Sequence, residues 1–572
     1  MTMPYTLLPP PSSGDTQVNE WIQMGTEAYV AKNLQKAAIH YQRALKLDPC
    51  SAIANNNLGV VLACAGDYHN SLLALERASI FDGVEPVIAA NQALINFETD
   101  RMEEARRCSE KAVNLALGKP TSEVDTAGYI RSRLAYAVIS ASYGRPQDAL
   151  PAYLEMMEVE PTHPAAGPNA CFVQTLTSLG PADLLALRKQ WRTANKWKGR
   201  TWPHDNVKDP DKVLRVGYVS GDYKSHSAAM IYSNVLLNHD KTKVTPYLYS
   251  TLPTEADKDD MTQKLMACGE WRNMVDKTDE EFEDQVTEDG IDILVDLAGH
   301  TNGGRLAVFT RRPAPVQVTA WGFAHGTGLP EIDYFFADPV AVPEHERKHY
   351  AEKIYDLPCI VTYRPPLEYG IPATSPMPFK RNDFFTFGSF SRFEKLSDDC
   401  LACFNEILKR VPGSKLYLKD AAFRRPYSIR RVMEAMPDVD KSRLIFGVST
   451  SHPEHIMEFQ RVDLVLDPFP HGGGNVALET LFAGVPLVTR YGTQAAGRTA
   501  SSVLTLMGRT DWITRTNSEY VEKAVELSGK IGELAEARKV LRIELLDSPA
   551  IKDYAGAVER GYREMWRAWC AK

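Results

Sequence analysis

The sequence predicts a helical repeat array followed by two doubly wound α/β domains. Small residues recur every 34 positions over about residues 15 to 165. Short apolar strands alternate with helical stretches from about residue 212, and the alternation begins again near residue 383. Repeats of this length are typical of stacked helix pairs, whereas alternating strands and helices are typical of parallel sheets.

The amino-terminal array is marked by small residues at three positions of the repeat. They are Gly25 with Gly59, Ala37 with Ser71 and Ala105, and Ala44 with Ala78 and Ala112. Only small side chains fit where paired helices pack closely. Tyr41 and Pro49 complete the offsets of a tetratricopeptide repeat in the first unit. A weaker fourth unit carries Ala149, Tyr153 and Pro161.

This array, residues 15–165, is expected to offer a concave surface to a peptide or protein, although such repeats also form homodimers. Residues 166–211 are predicted to be a helical linker, with Trp191 and Trp197 packed at the junction. Residues 212–375 and 376–572 are predicted to be the two α/β lobes.

Each lobe is predicted from its strand segments. Those of the first lobe are VLRVGYVS, VTPYLYST, IDILVDLAG, PVQVTAWG and IDYFFADP, and those of the second are FFTFGSF, SKLYLKD, SRLIFG, VDLVLDP and VPLVTR. Doubly wound domains bind ligands in the cleft at the carboxyl ends of their strands. The last helical stretch, 552–571, is predicted to cross back and pack on the first lobe.

Composition excludes several functional classes. The formal charge of −8 and the sequence pI near 6.0 do not favour a nucleic-acid binder. The sequence has no run of about 18 apolar residues, so no membrane-spanning helix is expected. The amino-terminal stretch lacks the pattern of a signal peptide, and nine scattered cysteines fit reduced thiols. We therefore expect a cytoplasmic protein.

The most informative motif is LDPFPHGGGNVALETLFAG, a strand that runs through a glycine-rich turn into a helix. Gly472, Gly473 and Gly474 allow close approach of the backbone, and a helix start offers unpaired N–H groups to a phosphate. Glu479, one turn further on, suits the paired hydroxyls of a ribose. The same letters also fit a tight turn without a ligand. They are not a P-loop, because no Gly-Lys-Ser/Thr follows.

Three further segments follow strands at the expected cleft. FGSFSRFEKLS carries Arg392 and Lys395, two cations that can neutralise a diphosphate or form a solvated surface pair. GYVSGDYKSHS carries His226, which fits a general base, a sugar contact or a structural histidine. The glycine-rich stretch 296–328 offers a small-residue surface to a sugar, with His300, Thr301 and Gly322 as candidate contacts.

No metal site is expected. Cys400 and Cys403 form a CxxC pair without a second pair nearby, whereas a zinc site needs about four ligands. Two DxD pairs, at 209–211 and 438–440, lie in turn-like polar stretches.

These segments, in this order and behind the repeats, closely resemble the O-GlcNAc transferase and SPINDLY family of protein glycosyltransferases. The resemblance covers about 212–570 and the repeats. The segments that match nearly word for word are RRPAPVQVTAWGF, DYFFADP, FGSFSRFEK, ILKRVPGSKLYLK and VDLVLDPFP. The resemblance implies a GT-B fold, a nucleotide-sugar donor, a protein acceptor, and no metal or other cofactor.

The resemblance also implies roles for single residues. His226 matches the family's active-site histidine, and Lys395 matches the lysine that steadies the donor diphosphate. Arg392 stands where animal O-GlcNAc transferases have glutamine. At the nucleotide end, His455 matches a base-contacting histidine and Glu479 the ribose-binding acid. Thr450 and His452 precede that histidine in the nucleotide pocket.

The helix start departs from the family pattern. The family usually has paired threonines that bind the phosphate, whereas this chain has Asn475 and Val476, after Gly474 in place of the animal histidine. Backbone N–H groups and the Asn475 side chain must replace the lost hydroxyls. The departure leaves the donor open. UDP-N-acetylglucosamine is the expectation, and GDP-fucose, another sugar as in flagellin glycosylation, or a non-catalytic scaffold are the alternatives.

The implied reaction is an inverting transfer to a Ser or Thr hydroxyl, with modification of Asn left open. Charge develops on the departing nucleoside diphosphate, so Lys395, Arg392 and the helix start would act mainly in the transition state. His226 would orient the acceptor, relay its proton or bind the sugar. Asp289 and Asp292 are further candidates for proton handling, although structural roles suit them as well.

Overall fold

The computed structural model describes residues 5–11, 15–118, 120, 122–195, 202–252, 258–372 and 376–572. The chain divides into two compact units, Met1–Val173 and Gln174–Lys572. The domain boundaries given above stay predictions, and Trp197 lies outside the described residues. Among the described helices, none combines the length and the apolar character needed to cross a membrane.

The first unit is built from helices that pack in consecutive pairs. They are α1 (Thr16–Val30) with α2 (Leu34–Leu47), α3 (Ala52–Cys64) with α4 (Tyr68–Phe81), α5 (Pro86–Glu98) with α6 (Met102–Leu115), and α7 (Glu123–Ser142) with α8 (Pro146–Val159), followed by α9 (Ala166–Gln174). Side-chain oxygens of Asp15, Asn33, Ser51 and Asp67 cap the first four helices. The predicted helical repeat array is confirmed.

The periodic small residues lie at the tightest helix contacts. Ala37 and Ser71 are fully buried, and the Ser71 hydroxyl donates a hydrogen bond of 2.6 Å to the Gly59 carbonyl oxygen across a helix pair. A Cβ atom on Gly25 would lie 2.6 Å from Cε1 of the buried Tyr41 ring. The period therefore reflects steric exclusion, since a larger side chain has no room at these positions.

The second unit begins with helix α10 (Pro181–Ala194) and contains two parallel sheets. The strands of the first sheet are β1 (Leu214–Ser220), β2 (Val244–Ser250), β3 (Glu270–Asn273), β4 (Ile293–Asp296), β5 (Val316–Thr319), β6 (Tyr334–Ala337) and β7 (Lys353–Asp356). Its helices are α11 (Ser227–Leu236), α12 (Asp260–Met266), α13 (Asp279–Glu288) and α14 (Leu306–Thr310). In the described residues the strand order is β3-β2-β1-β4-β5-β6-β7.

The second sheet repeats this topology. Its strands are β8 (Thr386–Ser389), β9 (Lys415–Lys419), β10 (Leu444–Gly447), β11 (Leu464–Leu466), β12 (Leu487–Arg490) and β13 (Ile513–Thr514), in the described order β10-β9-β8-β11-β12-β13. Its helices are α15 (Phe379–Asn382), α16 (Asp398–Arg410), α17 (Pro426–Ala435), α18 (His452–Glu458), α19 (Gly474–Phe482), α20 (Thr499–Leu506), α21 (Asn517–Gly529), α22 (Ile531–Asp547), α23 (Pro549–Lys552) and α24 (Tyr554–Cys570). Each sheet reverses its strand order at its first strand, where doubly wound folds bind ligands.

The two predicted Rossmann-like lobes are thus confirmed, but three edge strands escaped prediction. β3 and β7 carry charged residues and begin and end on exposed positions, so they lack the continuous apolar run of the inner strands. β13 has two residues. An edge strand is covered on fewer sides and leaves a weaker pattern in the sequence.

Helix α24 crosses back to the first lobe, as predicted. The indole N–H of Trp566 donates a hydrogen bond of 2.8 Å to the Asp209 carbonyl oxygen. The Trp321 indole N–H donates to the Tyr554 hydroxyl at 3.2 Å, and that hydroxyl donates to the Cys359 carbonyl oxygen at 2.7 Å. The carboxyl-terminal helix therefore ties the two lobes together.

The close helix contact in the array can be tested with Gly25→Ala. We expect the first unit to lose about 1–3 kcal/mol of unfolding free energy, because the added Cβ overpacks a buried ring. The gain in helix propensity, about 0.5–1 kcal/mol, is smaller. The measurement is thermal unfolding followed by circular dichroism. Gly532→Ala, at a helical glycine with no described atom within 4 Å, is the control and should not destabilise. An unchanged midpoint for Gly25→Ala would contradict this packing.

Candidate functional site

The candidate site lies where the carboxyl ends of β1 and β4 in the first lobe approach those of β8 and β11 in the second. Helices α11 and α19 begin on opposite sides of this cleft. The Asn475 side-chain amide, in the first turn of α19, donates a hydrogen bond of 2.8 Å to the carbonyl oxygen of Ser227, the first residue of α11. Two helix amino ends therefore lie side by side, and their dipoles both favour an anion.

The start of α19 offers several backbone donors. Its first intrahelical bond runs from the Ala477 N–H to the Gly473 carbonyl oxygen at 3.1 Å. The N–H groups of Gly474, Asn475 and Val476 precede that bond and have no acceptor within the helix. These N–H groups can receive phosphate oxygens.

Asp467 holds the glycine-rich turn in place. Its carboxylate accepts hydrogen bonds from the Gly473 N–H at 2.9 Å and from the Thr489 hydroxyl at 2.7 Å. A Cβ atom on Gly473 would lie 3.1 Å from Asp467 Oδ1 and 3.3 Å from the Ser391 hydroxyl oxygen. Glycine therefore suits this position because the protein's own side chains pack closely against the turn.

Lys395 lies against the same turn. Its ammonium donates a hydrogen bond of 2.7 Å to the Gly472 carbonyl oxygen. Burial and the neighbouring Arg392 lower the pKa of Lys395, and Asp467 opposes that shift. Burial also raises the pKa of Asp467. An incoming diphosphate would favour the charged form of the lysine, so the cation is poised for an anionic ligand.

Two polar atoms at this turn have unused hydrogen-bonding capacity. Within the described part of the chain, the Ser391 hydroxyl and the Asn475 Oδ1 are buried and have no hydrogen-bond partner. An unsatisfied buried polar group costs about 1–3 kcal/mol. Both atoms lie beside the glycine-rich turn, so a ligand bound at that turn could complete their hydrogen bonding.

Glu479 is the centre of a second cluster, one turn along α19. Its buried carboxylate lies 2.9 Å from His452 Nε2 and 3.4 Å from His455 Nε2. Burial raises its pKa, but the hydrogen bonds from the two histidines outweigh burial, and the net shift is downward. Glu479 is therefore ionised, and a carboxylate accepts more than two hydrogen bonds, so capacity remains for ribose hydroxyls.

Lys419 fixes the orientation of His455. Its ammonium, which can only donate, lies 3.1 Å from His455 Nδ1, so that nitrogen accepts and Nε2 carries the proton toward Glu479. The same ammonium donates to the Thr450 hydroxyl at 2.7 Å and pairs with Glu458 at 3.1 Å. The predicted nucleotide-pocket residues are thus brought together in one network.

His452 is held by two tyrosines from the segment that joins the lobes. The Tyr363 hydroxyl lies 3.1 Å from His452 Nε2, and the Tyr369 hydroxyl lies 3.0 Å from Nδ1. The ring also makes an edge contact with Tyr369. The connection between the lobes therefore forms one wall of the pocket around Glu479.

His226 caps the start of α11 and is about half exposed. Its Nδ1 lies 3.3 Å from the Ala228 N–H and 3.5 Å from Asp222 Oδ2. One nitrogen cannot accept from Ala228 and donate to Asp222 at once, so the ring has two alternative tautomers. When Nδ1–H faces Asp222, Nε2 has a lone pair and can act as a base. Burial raises the pKa of Asp222, and His226 opposes the shift.

The other first-lobe residues proposed as sugar contacts shape the turn after β4. The buried His300 ring has Nε2 2.8 Å from the Thr327 carbonyl oxygen and packs edge-on against Trp191. Burial lowers the pKa of His300 to about 3, so the ring is neutral. The Thr301 hydroxyl donates to the Ala298 carbonyl oxygen at 2.7 Å. These contacts suit positioning of the turn better than direct contact with a ligand.

Gly322 packs against the backbone at the end of β4. A Cβ atom there would lie 1.6 Å from the Leu297 carbonyl oxygen, so no other residue fits without movement of the backbone. Gly303 is similarly close to Gly221, with a Cβ position 2.9 Å from the Cα of Gly221. These contacts draw the turns that follow β1 and β4 together at the rim of the cleft.

Asp289 and Asp292 lie at the opposite end of the sheet from this cleft. Asp289 pairs with Arg272 at 2.8 Å and accepts from the Tyr249 hydroxyl at 2.8 Å. Asp292 precedes β4 and pairs with Lys212 at 2.9 Å. Both have the contacts of structural ion pairs, which was the alternative interpretation of their sequence context.

Across the described residues, no group of three or more His, Cys, Asp and Glu is arranged to hold a metal ion.

Several site residues were missed by sequence reasoning. Ser391 lies in the segment FGSFSRFEKLS, and Asp467 lies in LDPFPHGGGNVALETLFAG. Asp467 could have been identified from the sequence, because it is a carboxylate that directly follows a predicted strand. Lys419 also ends a strand, but the pattern does not indicate what it contacts. Tyr363 and Tyr369 belong to an irregular segment whose path no local pattern predicts.

Two doubly wound lobes, with a glycine-rich turn and two helix amino ends at the cleft between them, define a two-lobed α/β protein whose candidate ligand site is that cleft. Residues 195–362 and 373–555 match glycosyl transferase family 41, and the chain belongs to that family. The GT-B fold that the resemblance implied is confirmed.

Three known proteins illustrate the similarity. Over 429 residues the chain is 32% identical to the probable UDP-N-acetylglucosamine–peptide N-acetylglucosaminyltransferase SPINDLY of Solanum lycopersicum, a match to 72% of this chain and 45% of that protein. The corresponding SEC protein of Arabidopsis thaliana is 30% identical over 385 residues, 63% of this chain and 38% of that one. A mutant O-GlcNAc transferase of Thermobaculum terrenum has a TM-score of 0.73 at 25% identity, covering 97% of this chain and 98% of that chain. The chain spans less than half the length of these two curated relatives.

The role of Glu479 can be tested by comparing two ligands. We expect the protein to bind uridine diphosphate about tenfold or more tightly than its 2′,3′-dideoxy analogue, because a hydrogen bond to a charged group contributes about 1.5–3 kcal/mol. Glu479→Gln should lose most of that preference, as measured by isothermal titration calorimetry. The control is Glu458→Gln, which changes a carboxylate that pairs with Lys419 and does not contact Glu479. This variant should keep the preference for uridine diphosphate. A preference that survives in Glu479→Gln would refute the ribose assignment.

Proposed function

We propose that this protein is an inverting protein O-glycosyltransferase that transfers N-acetylglucosamine from UDP-N-acetylglucosamine to Ser or Thr of a polypeptide. The observation that carries the proposal is the arrangement on one helix. The amino end of α19 meets a second helix start and Lys395, whereas Glu479, one turn further, presents a carboxylate. This sequence of positive and negative groups suits a diphosphate followed by a ribose. The two curated relatives are named for transfer of N-acetylglucosamine to peptides, which supports the reaction.

The donor would lie along α19. Its diphosphate would contact Lys395, Arg392 and the backbone at Gly474, Asn475 and Val476. The nucleoside would lie beside Glu479, with Thr450, His452 and His455 at the base end. The sugar would face the first-lobe rim near Thr301 and Gly322, with His300 supporting that rim from below.

The reaction would proceed by attack of the acceptor hydroxyl oxygen on the anomeric carbon while the bond from that carbon to the diphosphate oxygen breaks. The leaving diphosphate gains negative charge, which Lys395, Arg392 and the helix dipole would stabilise. The acceptor proton has a candidate receiver in His226 Nε2 when Asp222 holds the Nδ1 proton. The charges on the protein's own side chains and helix suffice for this scheme, so we propose no resident cofactor or metal.

The acceptor would be a polypeptide bound by the repeat array, which can also form a homodimer through the same helices. The nine scattered cysteines favour a reducing compartment, and we place the reaction in the cytoplasm. The overall negative charge argues against nucleic acid as a partner.

A second candidate donor is favoured by the Asn475 contact. The side-chain amide that replaces a phosphate-binding threonine is engaged with Ser227, and its Oδ1 is buried without a described partner. The sugar is next to the diphosphate, and a sugar hydroxyl could donate to this acceptor, so a donor with another sugar, such as GDP-fucose, stays a candidate. A non-catalytic scaffold is the remaining alternative. The ordered polar network around Glu479 argues against it, because a scaffold would not need those side chains.

The proposal is tested by donor hydrolysis over a panel of UDP- and GDP-sugars, with mass spectrometry of any modified polypeptide. We expect UDP-N-acetylglucosamine to be turned over fastest. Lys395→Met should reduce turnover by two or more orders of magnitude, since removing one preorganised donor costs about 2.7–4 kcal/mol of transition-state stabilisation. Lys409→Met removes an exposed lysine of α16 and should leave turnover unchanged. No turnover and no thermal shift with any nucleotide would favour the scaffold.

A further inference from the structure

The loop that follows β1 leads into His226 and is bound by helix α12. This loop, residues 221–226, is here called the histidine loop, and it runs from the carboxyl end of β1 to the start of α11. His226 is its last residue, and the His226 side chain is 46% exposed. Because packing does not enclose this ring, its place in the cleft depends on the path of the loop backbone.

Two backbone groups of the histidine loop are bound by the start of α12. The Ser225 N–H donates a hydrogen bond of 2.7 Å to Asp259 Oδ2. The Thr262 hydroxyl donates one of 2.6 Å to the Tyr223 carbonyl oxygen. The bonded groups belong to alternate residues, so the loop is fixed at two points shortly before His226.

The two carboxylate oxygens of Asp259 have separate tasks. Oδ1 accepts from the Thr262 N–H at 3.0 Å and thereby caps α12. The Asp259 N–H donates to the Thr262 hydroxyl oxygen at 3.0 Å, which completes a capping box. A helix cap needs only one acceptor, so Oδ2 is available for the Ser225 N–H.

The bond to Ser225 involves an ionised group. Burial raises the pKa of Asp259, but hydrogen bonds from Ser225 and Thr262 outweigh burial, and the net shift is downward. The carboxyl group is therefore charged at neutral pH. Hydrogen bonds to charged acceptors are roughly twice as strong as those between neutral groups, so this contact can hold an exposed piece of backbone.

The first half of the histidine loop is anchored independently of Asp259. Tyr223 is fully buried, and its hydroxyl donates to the Tyr218 carbonyl oxygen at 2.9 Å. The Asp222 N–H donates to the Ser220 hydroxyl oxygen at 3.0 Å. Ser225, in contrast, has an exposed side chain, so its backbone bond to Asp259 fixes the second half of the loop.

The two halves of the loop carry the two partners of one contact. Asp222 belongs to the first half, and its Oδ2 lies 3.5 Å from His226 Nδ1 at the end of the second half. Only a ring that donates from Nδ1 to Asp222 presents Nε2 as a base. Movement of Ser225 away from Asp259 would separate these side chains and remove the preference for that tautomer.

We propose that Asp259 is a positioning residue of the candidate active site, and that it acts by holding the Ser225 N–H so that His226 stays within reach of Asp222 and of the cleft. The effect on turnover rests on the transferase function proposed above. The contact itself does not depend on that function, so the two can be tested separately.

The contact is tested by hydrogen exchange in Asp259→Ser, measured by mass spectrometry at the level of single residues. Serine caps a helix about as well as aspartate, so α12 should keep its start and the Thr262 amide its exchange rate. The Ser225 amide loses its charged acceptor and should exchange about tenfold or more faster. An unchanged rate at Ser225 would overturn the proposal. Faster exchange at both amides would also overturn it, because the effect would then come from loss of the helix start.

The effect on turnover is measured with the nucleotide sugar that the donor panel finds to be fastest. For Asp259→Ser we expect kcat to fall about 10- to 100-fold, since a displacement of about 1 Å at a reacting group can cost about 100-fold. The KM for the donor and the affinity for uridine diphosphate should stay unchanged, because the donor contacts lie on the second lobe.

The matched control is Asp440→Ser, which exchanges the aspartate cap of the short helix before β10, at the end of the sheet opposite to the cleft. It should leave kcat unchanged. If Asp259→Ser speeds exchange at Ser225 but keeps kcat, Asp259 does not position His226 for the reaction, and the proposal is wrong. If the unmodified chain turns over no donor while the Ser225 amide responds as expected, the transferase assignment fails and the contact stands.

Discussion

The hydrogen bond between the Asn475 side chain and the Ser227 carbonyl oxygen holds two helix amino ends at one cleft. Each lobe contributes one helix start at the point where its strand order reverses. Partial positive charge from two dipoles then meets in a small volume, and Lys395 adds a full charge. The cost of gathering like charges is offset when an anion enters, so this arrangement makes the cleft a place for a diphosphate.

The rest of the second unit keeps that arrangement rigid. Asp467 fixes the glycine-rich turn, and Lys419 fixes the tautomer of His455 beside Glu479. Helix α24 ties the carboxyl end of the chain to the first lobe through Tyr554, which contacts Trp321, so the two halves of the cleft are connected twice. Polar groups preorganised in this way need little rearrangement when charge develops on a leaving group.

Sequence patterns predicted most of the fold because its inner strands and its helix contacts are heavily constrained. Parallel strands such as β4 are apolar on both faces, and Gly25 must be small beside Tyr41. The edge strands β3 and β7 were missed because they are partly exposed to solvent. Exposed positions accept charged residues, so these strands lack a continuous apolar run. Within the site, the glycine-rich turn and Glu479 could be found from local spacing alone. The Asn475–Ser227 contact and the tyrosines at His452 could not, because they join residues distant in sequence.

Hydrogen exchange of the backbone amides at the start of α19, with and without uridine diphosphate, tests the central claim most directly. We expect the amides of Gly474, Asn475 and Val476 to exchange more slowly when the nucleotide is bound, because phosphate oxygens would accept from N–H groups that have no acceptor within the helix. If calorimetry detects binding while these amides exchange at an unchanged rate, the diphosphate lies elsewhere and the account of the cleft is contradicted.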